Sequence, residues 1–463
     1  MIVIGTFIRA MKHAPMMCAV LAAVTGYPVA ARAAPVQATP AYQFVNRIGV
    51  ATHFTWAQSP YRKEFDQAKA ALGELGIRHI RDASGNKEAT AFYRDLRNAF
   101  GLKLCAVVDA RTGSGANTHL DPSQIPEMLG RMKSELGVSM IKAIEGPNEY
   151  NLLEREFGRT DWAPELRAYQ AELRRRVKAD PDLRALPVLA PSMADPMQEG
   201  YYRQVGDLTG SIDRGNAHVY PNWLSWEQKI VDVMPFSRIV APTQPLWVSE
   251  TGWHSAFNSG AQWVTEDVQL KYLTRAMATF VSTPGIERAY LYQLIDPYYD
   301  PGKTTPVSQF GLLDYGMNRR NTFYAVRNMM HVMCDNPLTF PPQSLRYTLS
   351  GNLTDVRTQL FQKSNRSFYM MLWVNKQSFK RGQEVLNPPQ AVKIQFEQGI
   401  RQARVFLPAD QAGGIKNSNL PKRALTSPTA IDLNVTDAVT ILEVTPAGIA
   451  LPAVKTACSF KAI

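Results

Sequence analysis

The feature that most constrains this chain is a rhythm. From about residue 45 to 335, short apolar runs alternate with longer amphipathic segments, the pattern of repeated βα units around a parallel sheet. The apolar runs fall at 48–51, 77–80, 102–108, 140–144, 188–190, 212–217, 246–248 and 289–294. Helical spacing fills the intervals. The segment 65–75 ends at Gly76 and 89–100 ends at Gly101, each a helix-stopping glycine. Pro164 reads as the start of a helix through Lys178, because its missing N–H is harmless in a first turn. Thr265 reads as the N-cap of a helix over 265–281, with Glu266 and Asp267 in its first turn, and a closing helix covers 321–332. Eight units of this length match a closed (β/α)8 barrel.

Beyond Pro337 the rhythm stops. Short strand-like runs at 357–362, 368–374, 392–396, 403–407 and 439–444 are separated by turn residues, which predicts a small antiparallel β-sandwich. The N-terminus differs from both parts. Arg9, Lys12 and His13 precede an apolar run from Met16 to Ala30, followed by Ala31-Arg32-Ala33, the layout of a secretory signal peptide with an A-x-A cleavage site. The expected division is a signal peptide over 1–33, a barrel over 41–335 and a sandwich over 336–463. Secretion or periplasmic export follows, without stable membrane insertion. Cys18 would leave with the signal, and Cys105 lies in an apolar strand as a buried thiol. Cys334 and Cys458 can pair in an oxidising compartment, though spacing alone does not decide it.

Barrel chemistry gathers just past the C-terminal ends of strands. After the fourth run come Glu145-Gly146-Pro147-Asn148-Glu149, and after the seventh come Ser249-Glu250-Thr251-Gly252-Trp253. Each places a carboxylate beyond an apolar strand, three βα units apart, so that Glu149 and Glu250 face one another across the mouth. Two opposed carboxyl groups suit retaining glycoside hydrolysis. One protonates the leaving oxygen and the other attacks the anomeric carbon. The expected roles are Glu149 as general acid/base, kept protonated by its neighbour and partial burial, and Glu250 as nucleophile. Glu145, at the end of strand four, is the rival acid and reads better as a structural partner.

These residues resemble the clan A glycoside hydrolases, retaining barrel enzymes that include the family 5 and family 39 types. The resemblance implies that Asn148 bonds the sugar 2-hydroxyl, that Tyr220 of His218-Val219-Tyr220-Pro221 contacts the nucleophile while His218 lines the cleft, and that Arg81 of Ile80-Arg81-Asp82 bonds the nucleophile. Phe310-Gly311-Leu312-Leu313-Asp314 and the later Phe323-Tyr324-Ala325 are similar to the family's passage after strand eight, and a β-sandwich after the barrel is common in family 39. The chain departs from the pattern at Tyr292-Gln293, where many members place Trp, and at Asp109, where family 5 shows His. These two positions leave the sugar unspecified. With His53 beyond strand one, the expected substrate-binding set is Asn148, His218, Tyr220, Arg81, His53, Trp253, Asp109 and Tyr292.

Six aromatics, Trp56, Trp223, Trp226, Trp253, Tyr298 and Tyr299, fall in expected βα loops, where their faces suit sugar rings. That richness favours an internal cleft and endo-action on a polysaccharide or oligosaccharide. The net charge of +11 falls to +8 without Arg9, Lys12 and Arg32, which admits an acidic glycan as readily as a generally basic surface. The Arg174-Arg175-Arg176 run reads as a solvated helix face, and nucleic acid is not an expected partner. No P-loop, H-E-x-x-H or G-x-S-x-G is present, and neither a metal nor a cofactor is expected. Two other readings share these motifs: a carbohydrate-binding or assembly protein without activity, and a transglycosylase using the same site.

Overall fold

The computed structural model describes residues 33–84, 87–194, 197–257, 259, 263–335, 340–454 and 458. The signal-peptide segment lies outside these residues, apart from Ala33. Eight parallel strands make one sheet: β1 (Ile48–Ala51), β2 (His79–Ala83), β3 (Lys103–Val107), β4 (Ile141–Glu145), β5 (Val188–Leu189), β6 (Gly215–Val219), β7 (Leu246–Thr251) and β8 (Ile286–Leu291). β8 pairs with β1. A parallel bridge from Leu189 to Arg214 joins β5 to β6, supported by the Ala190 amide donating to the Arg214 carbonyl at 2.9 Å. The result is a (β/α)8 barrel followed by a sandwich.

Amphipathic helices cover the barrel because each offers one apolar stripe to the strands. They include α1 (Phe65–Leu75), α2 (Thr90–Phe100), α3 (Trp162–Ala179), α4 (Trp226–Val240), α5 (Glu266–Phe280) and α6 (Asn321–Met333). α1 and α2 stop at Gly76 and Gly101, both left-handed. Thr265 caps α5, its hydroxyl accepting from the Val268 amide at 3.3 Å. α3 begins two residues before Pro164, at Trp162, so the proline lies within the first turn, where its missing N–H still breaks no intrahelical bond. α4 carries a capping box between Ser225 and Gln228.

Two antiparallel sheets form the second part. One contains β9 (Ser344–Gly351), β12 (Gln390–Phe396) and β15 (Ala430–Val435). The other contains β10 (Val356–Gln362), β11 (Phe368–Val374), β13 (Ile400–Phe406), β14 (Arg423–Thr426) and β16 (Thr440–Pro446). The residues before the barrel add to both: Pro35–Gln37 pairs with β9, and Thr39–Pro40 with β10. β11 is buried throughout. Its even positions from Phe368 to Val374 enter the sandwich core, and Tyr369, Met371 and Trp373 join the barrel core. The Trp373 indole donates to Glu227 on α4 at 2.9 Å. Cys334 and Cys458 form a disulfide, while Cys105 is a free, buried thiol.

Candidate active site

The site is built upward from a buried ion pair. Residues two apart on β2 share a face, so His79 and Arg81 both point into the barrel: His79 at the N-terminal end, its Nε2 2.9 Å from Asn46 Oδ1, and Arg81 nearer the mouth. There the Arg81 guanidinium grips Glu145 at the end of β4 with Nε and Nη2, at 2.8 and 2.7 Å. Glu145 has no exposed surface. Burial opposes its charge, but Arg81, His218 and the Asn216 amide outweigh burial and hold its carboxyl below the ordinary value. Ser249 and Cys105 complete its donors. Glu145 is therefore a floor anion, not a group facing the cleft.

The same guanidinium reaches the mouth. Its Nη1 donates to Glu250 Oε1 at 2.5 Å and its Nη2 to Asn148 Oδ1 at 2.7 Å. Glu250 Oε2 accepts from the Tyr220 hydroxyl. Burial first, and then Glu250, push the Tyr220 phenol far above its usual range, so it remains a donor. Gly252 follows the β7 end where the Tyr292 carbonyl closes in, and a Cβ there would meet that oxygen at 2.4 Å.

Glu149 has φ +48°, a left-handed conformation that costs a non-glycine residue about 1–3 kcal/mol. Its neighbours hold it there. The Glu149 amide donates to the Ser192 carbonyl and hydroxyl at 3.1 and 3.2 Å. Asp109 accepts from the Asn148 amide at 3.0 Å and from Arg111, which also donates to the Asn148 carbonyl. Asp109 thus braces the Asn148-Glu149 turn from beneath.

His218 links the two carboxylates. Its Nδ1 is 2.6 Å from Glu149 Oε1 and 3.5 Å from Glu250 Oε2. Its Nε2 is 3.1 Å from Ser249 Oγ, whose proton goes to Glu145. Burial works against charge on this imidazole, but Glu250 and Glu149 prevail and raise its pKa. One ligand atom each of Glu149, His218 and Glu250 lie within 4.8 Å of one another. A divalent cation could bridge three such groups, but it would have to break the Arg81, Tyr220 and His218 contacts already described.

The carboxyl groups open into a cleft of about 520 Å³ framed by the loops after β4 to β8. Tyr292 and Phe310 form one wall, with ring centroids 5.3 Å apart. From Tyr292 the aromatic surface continues to His53 at 5.5 Å, then to Trp56 stacked on His53 at 3.9 Å, and to the exposed Tyr298 stacked on Trp56 at 5.8 Å. Burial drives the His53 pKa down to about 4, leaving it neutral.

Arg81, Asn148, Glu149, His218, Tyr220, Glu250 and Tyr292 therefore converge, with His53 beside them and Asp109 underneath. Trp253 does not join them. It is 1% exposed in the barrel core, its indole donating to the Leu224 carbonyl at 3.0 Å and packing on Tyr272. Trp226 is likewise buried, in the first turn of α4. Sequence reasoning missed several residues lining the cleft, among them Arg155, Gln198, Lys229 and His254. Nothing in their local pattern marks them: Arg155, Gln198 and Lys229 lie in or beside helices, where polar residues ordinarily face solvent, and His254 lies in the loop after β7.

No protein-family profile matches the sequence, and no curated protein matches it. Solved structures do match the fold. A family 39 glycoside hydrolase from Xanthomonas axonopodis pv. citri aligns at TM-score 0.60 and 15% identity, over 89% of this chain and 96% of its own. One from Bacteroides cellulosilyticus WH2 aligns at TM-score 0.60 and 14% identity, over 88% and 82%. A glucosidase from Croceicoccus marinus aligns at TM-score 0.58 and 10% identity, over 90% and 98%. The chain has the barrel-and-sandwich fold of clan A glycoside hydrolases of the family 39 type.

Proposed function

We propose that the protein is a secreted retaining β-glycoside hydrolase that cleaves an extracellular polysaccharide or oligosaccharide by double displacement. The observation that carries this reading is the pair of carboxyl groups on β4 and β7, with oxygens within 4.8 Å of each other at the barrel mouth. Retaining enzymes hold their carboxyl groups about 5–5.5 Å apart, too close for an intervening water nucleophile.

The hydrogen bonds support one placement of the proton. Ser249 gives its hydrogen to Glu145, so its oxygen accepts from His218 Nε2–H. The 2.6 Å contact between His218 Nδ1 and Glu149 then requires one shared proton. That proton is the one Glu149 delivers to the leaving glycosidic oxygen as the Glu250 carboxylate bonds to the anomeric carbon. In the second step Glu149 takes a proton from water, the water oxygen displaces Glu250, and the sugar leaves with its original anomeric configuration. Arg81 and Tyr220 hold the Glu250 oxygens for in-line attack, and Asn148 Oδ1, fixed by Arg81, orients the amide toward the sugar. The aromatic run from Phe310 to Tyr298 extends beyond one sugar's width and supports endo-action. Glu149→Gln and Glu250→Gln should each abolish hydrolysis in a glycan-library screen, and near wild-type turnover by either variant would refute the roles. If the initial product is a longer glycan instead of a free reducing end, the site is a transglycosylase.

A further inference from the structure

Among the described residues, the fixed charges lining the cleft apart from Glu149 and Glu250 are Arg155, from the turn of helix after β4 and paired with Glu156 at 3.2 Å, and Lys229, from α4 after β6. Both are cationic. Lys229 is unusual for a lysine: it is only 8% exposed, and among the described residues no hydrogen bond or ion pair reaches its ammonium. Asp232, one turn along α4, acts on it only at longer range. A lysine on a helix normally extends its head into water. An ammonium held in a wall without a counter-ion is disfavoured unless something else supplies the anion. Gln198, from the loop between the two cations in barrel order, adds a neutral amide to the same wall.

We propose that Lys229, with Arg155 and Gln198, forms a subsite beside the catalytic pair for an oxyanion carried on the sugar, a hexuronate carboxylate or a sulfate ester. This deepens the glycosidase reading and rests on it only for turnover, because binding can be read separately. An anion entering the cleft would give Lys229 its missing partner, and a neutral sugar covering the cleft would take the ammonium from water without a counter-ion. Acidic glycans are thereby favoured over neutral ones of the same shape.

The test uses calorimetry on the full chain and on Lys229→Met. The probes are galacturonate and glucuronate oligomers, the same oligomers with each carboxyl reduced to a primary alcohol, and a sulfated glucan beside its unsulfated form. The wild type should bind the acidic member of at least one pair about 10- to 100-fold more tightly, the range of one charge-assisted hydrogen bond. In Lys229→Met that preference should collapse while the melting temperature stays equal or rises. The pair that discriminates identifies the oxyanion as carboxylate or sulfate. Equal binding within every pair, a preference that survives Lys229→Met, or a marked fall in its melting temperature would overturn the subsite. Lys229-dependent binding with no hydrolysis of any probe would count against the glycosidase reading and leave the subsite standing.

Discussion

Replacing Arg81 with Met separates the two tasks of this side chain. Beneath the site, Arg81 supplies two hydrogen bonds to Glu145, whose carboxyl has no exposed surface. Removing the cation leaves that anion with neutral donors from Asn216, Ser249 and Cys105. Breaking a buried pair from one side costs about 3–5 kcal/mol. At the mouth, the same change frees Glu250 Oε1 and leaves Asn148 Oδ1 with the Ser192 hydroxyl, and a misplacement of about 1 Å in a reacting group costs on the order of 100-fold in rate. Arg81→Met should therefore lose stability and activity together. The double variant Arg81→Met/Glu145→Leu removes both buried charges and should recover most of the stability, since an apolar pair of similar volume can replace a buried ion pair. Its activity should stay at least about 100-fold down. Urea denaturation and hydrolysis of the best library substrate read the two effects. Activity returning along with stability would refute the role given to Arg81 at Glu250, and a loss below about 1 kcal/mol in the single variant would refute the buried-pair argument.

Other outcomes follow from the same contacts. His218→Asn removes the partner that shares the Glu149 proton, so the alkaline limb of kcat/KM should move to lower pH; an unmoved limb would show that His218 does not hold it. The raised His218 pKa, and the Asp82 and Asp296 carboxyls pushed up to about 7 by burial, all act in one direction. Each folded-state pKa exceeds its unfolded value, so each stabilises most at low pH and loses that contribution as pH rises through the folded value. The buried His53 and His254, with pKa values driven down to about 4, act oppositely below the ordinary histidine value, so the urea midpoint should fall from pH 7 to pH 8, above that value, and a rise there would contradict these assignments. The Cys334–Cys458 bond closes a separation of 124 residues, for which chain entropy gives about 4–5 kcal/mol; Cys334→Ser/Cys458→Ser should lower the melting temperature under non-reducing conditions, and an unchanged value would show that the bond contributes nothing.

Much of the fold was legible because barrel strands are short apolar runs whose order fixes their neighbours. The Glu149 and Glu250 positions were legible for the same reason: a strand end in a barrel is also a place in space. What lay beyond reading depended on contacts between distant segments. β8 starts at Ile286, three residues before its most apolar stretch, where it pairs with Leu246. Two and three residues of the N-terminal segment join the sandwich, too few to show a pattern. Trp253 has the same loop setting as Trp56, yet it turns into the core because Tyr272 and the Leu224 carbonyl wait there. Lys229 has no marker in its local sequence, and its place in the cleft wall follows from how α4 packs after β6.

The central claim is that Glu250 becomes covalently bonded to sugar. Trapping with 2-deoxy-2-fluoro glycosides, followed by peptide mass spectrometry, reports that bond directly. The label should sit on Glu250 and be lost in Glu250→Gln. A label on Glu149 or Glu145, or early products of inverted anomeric configuration from an active substrate, would contradict the account.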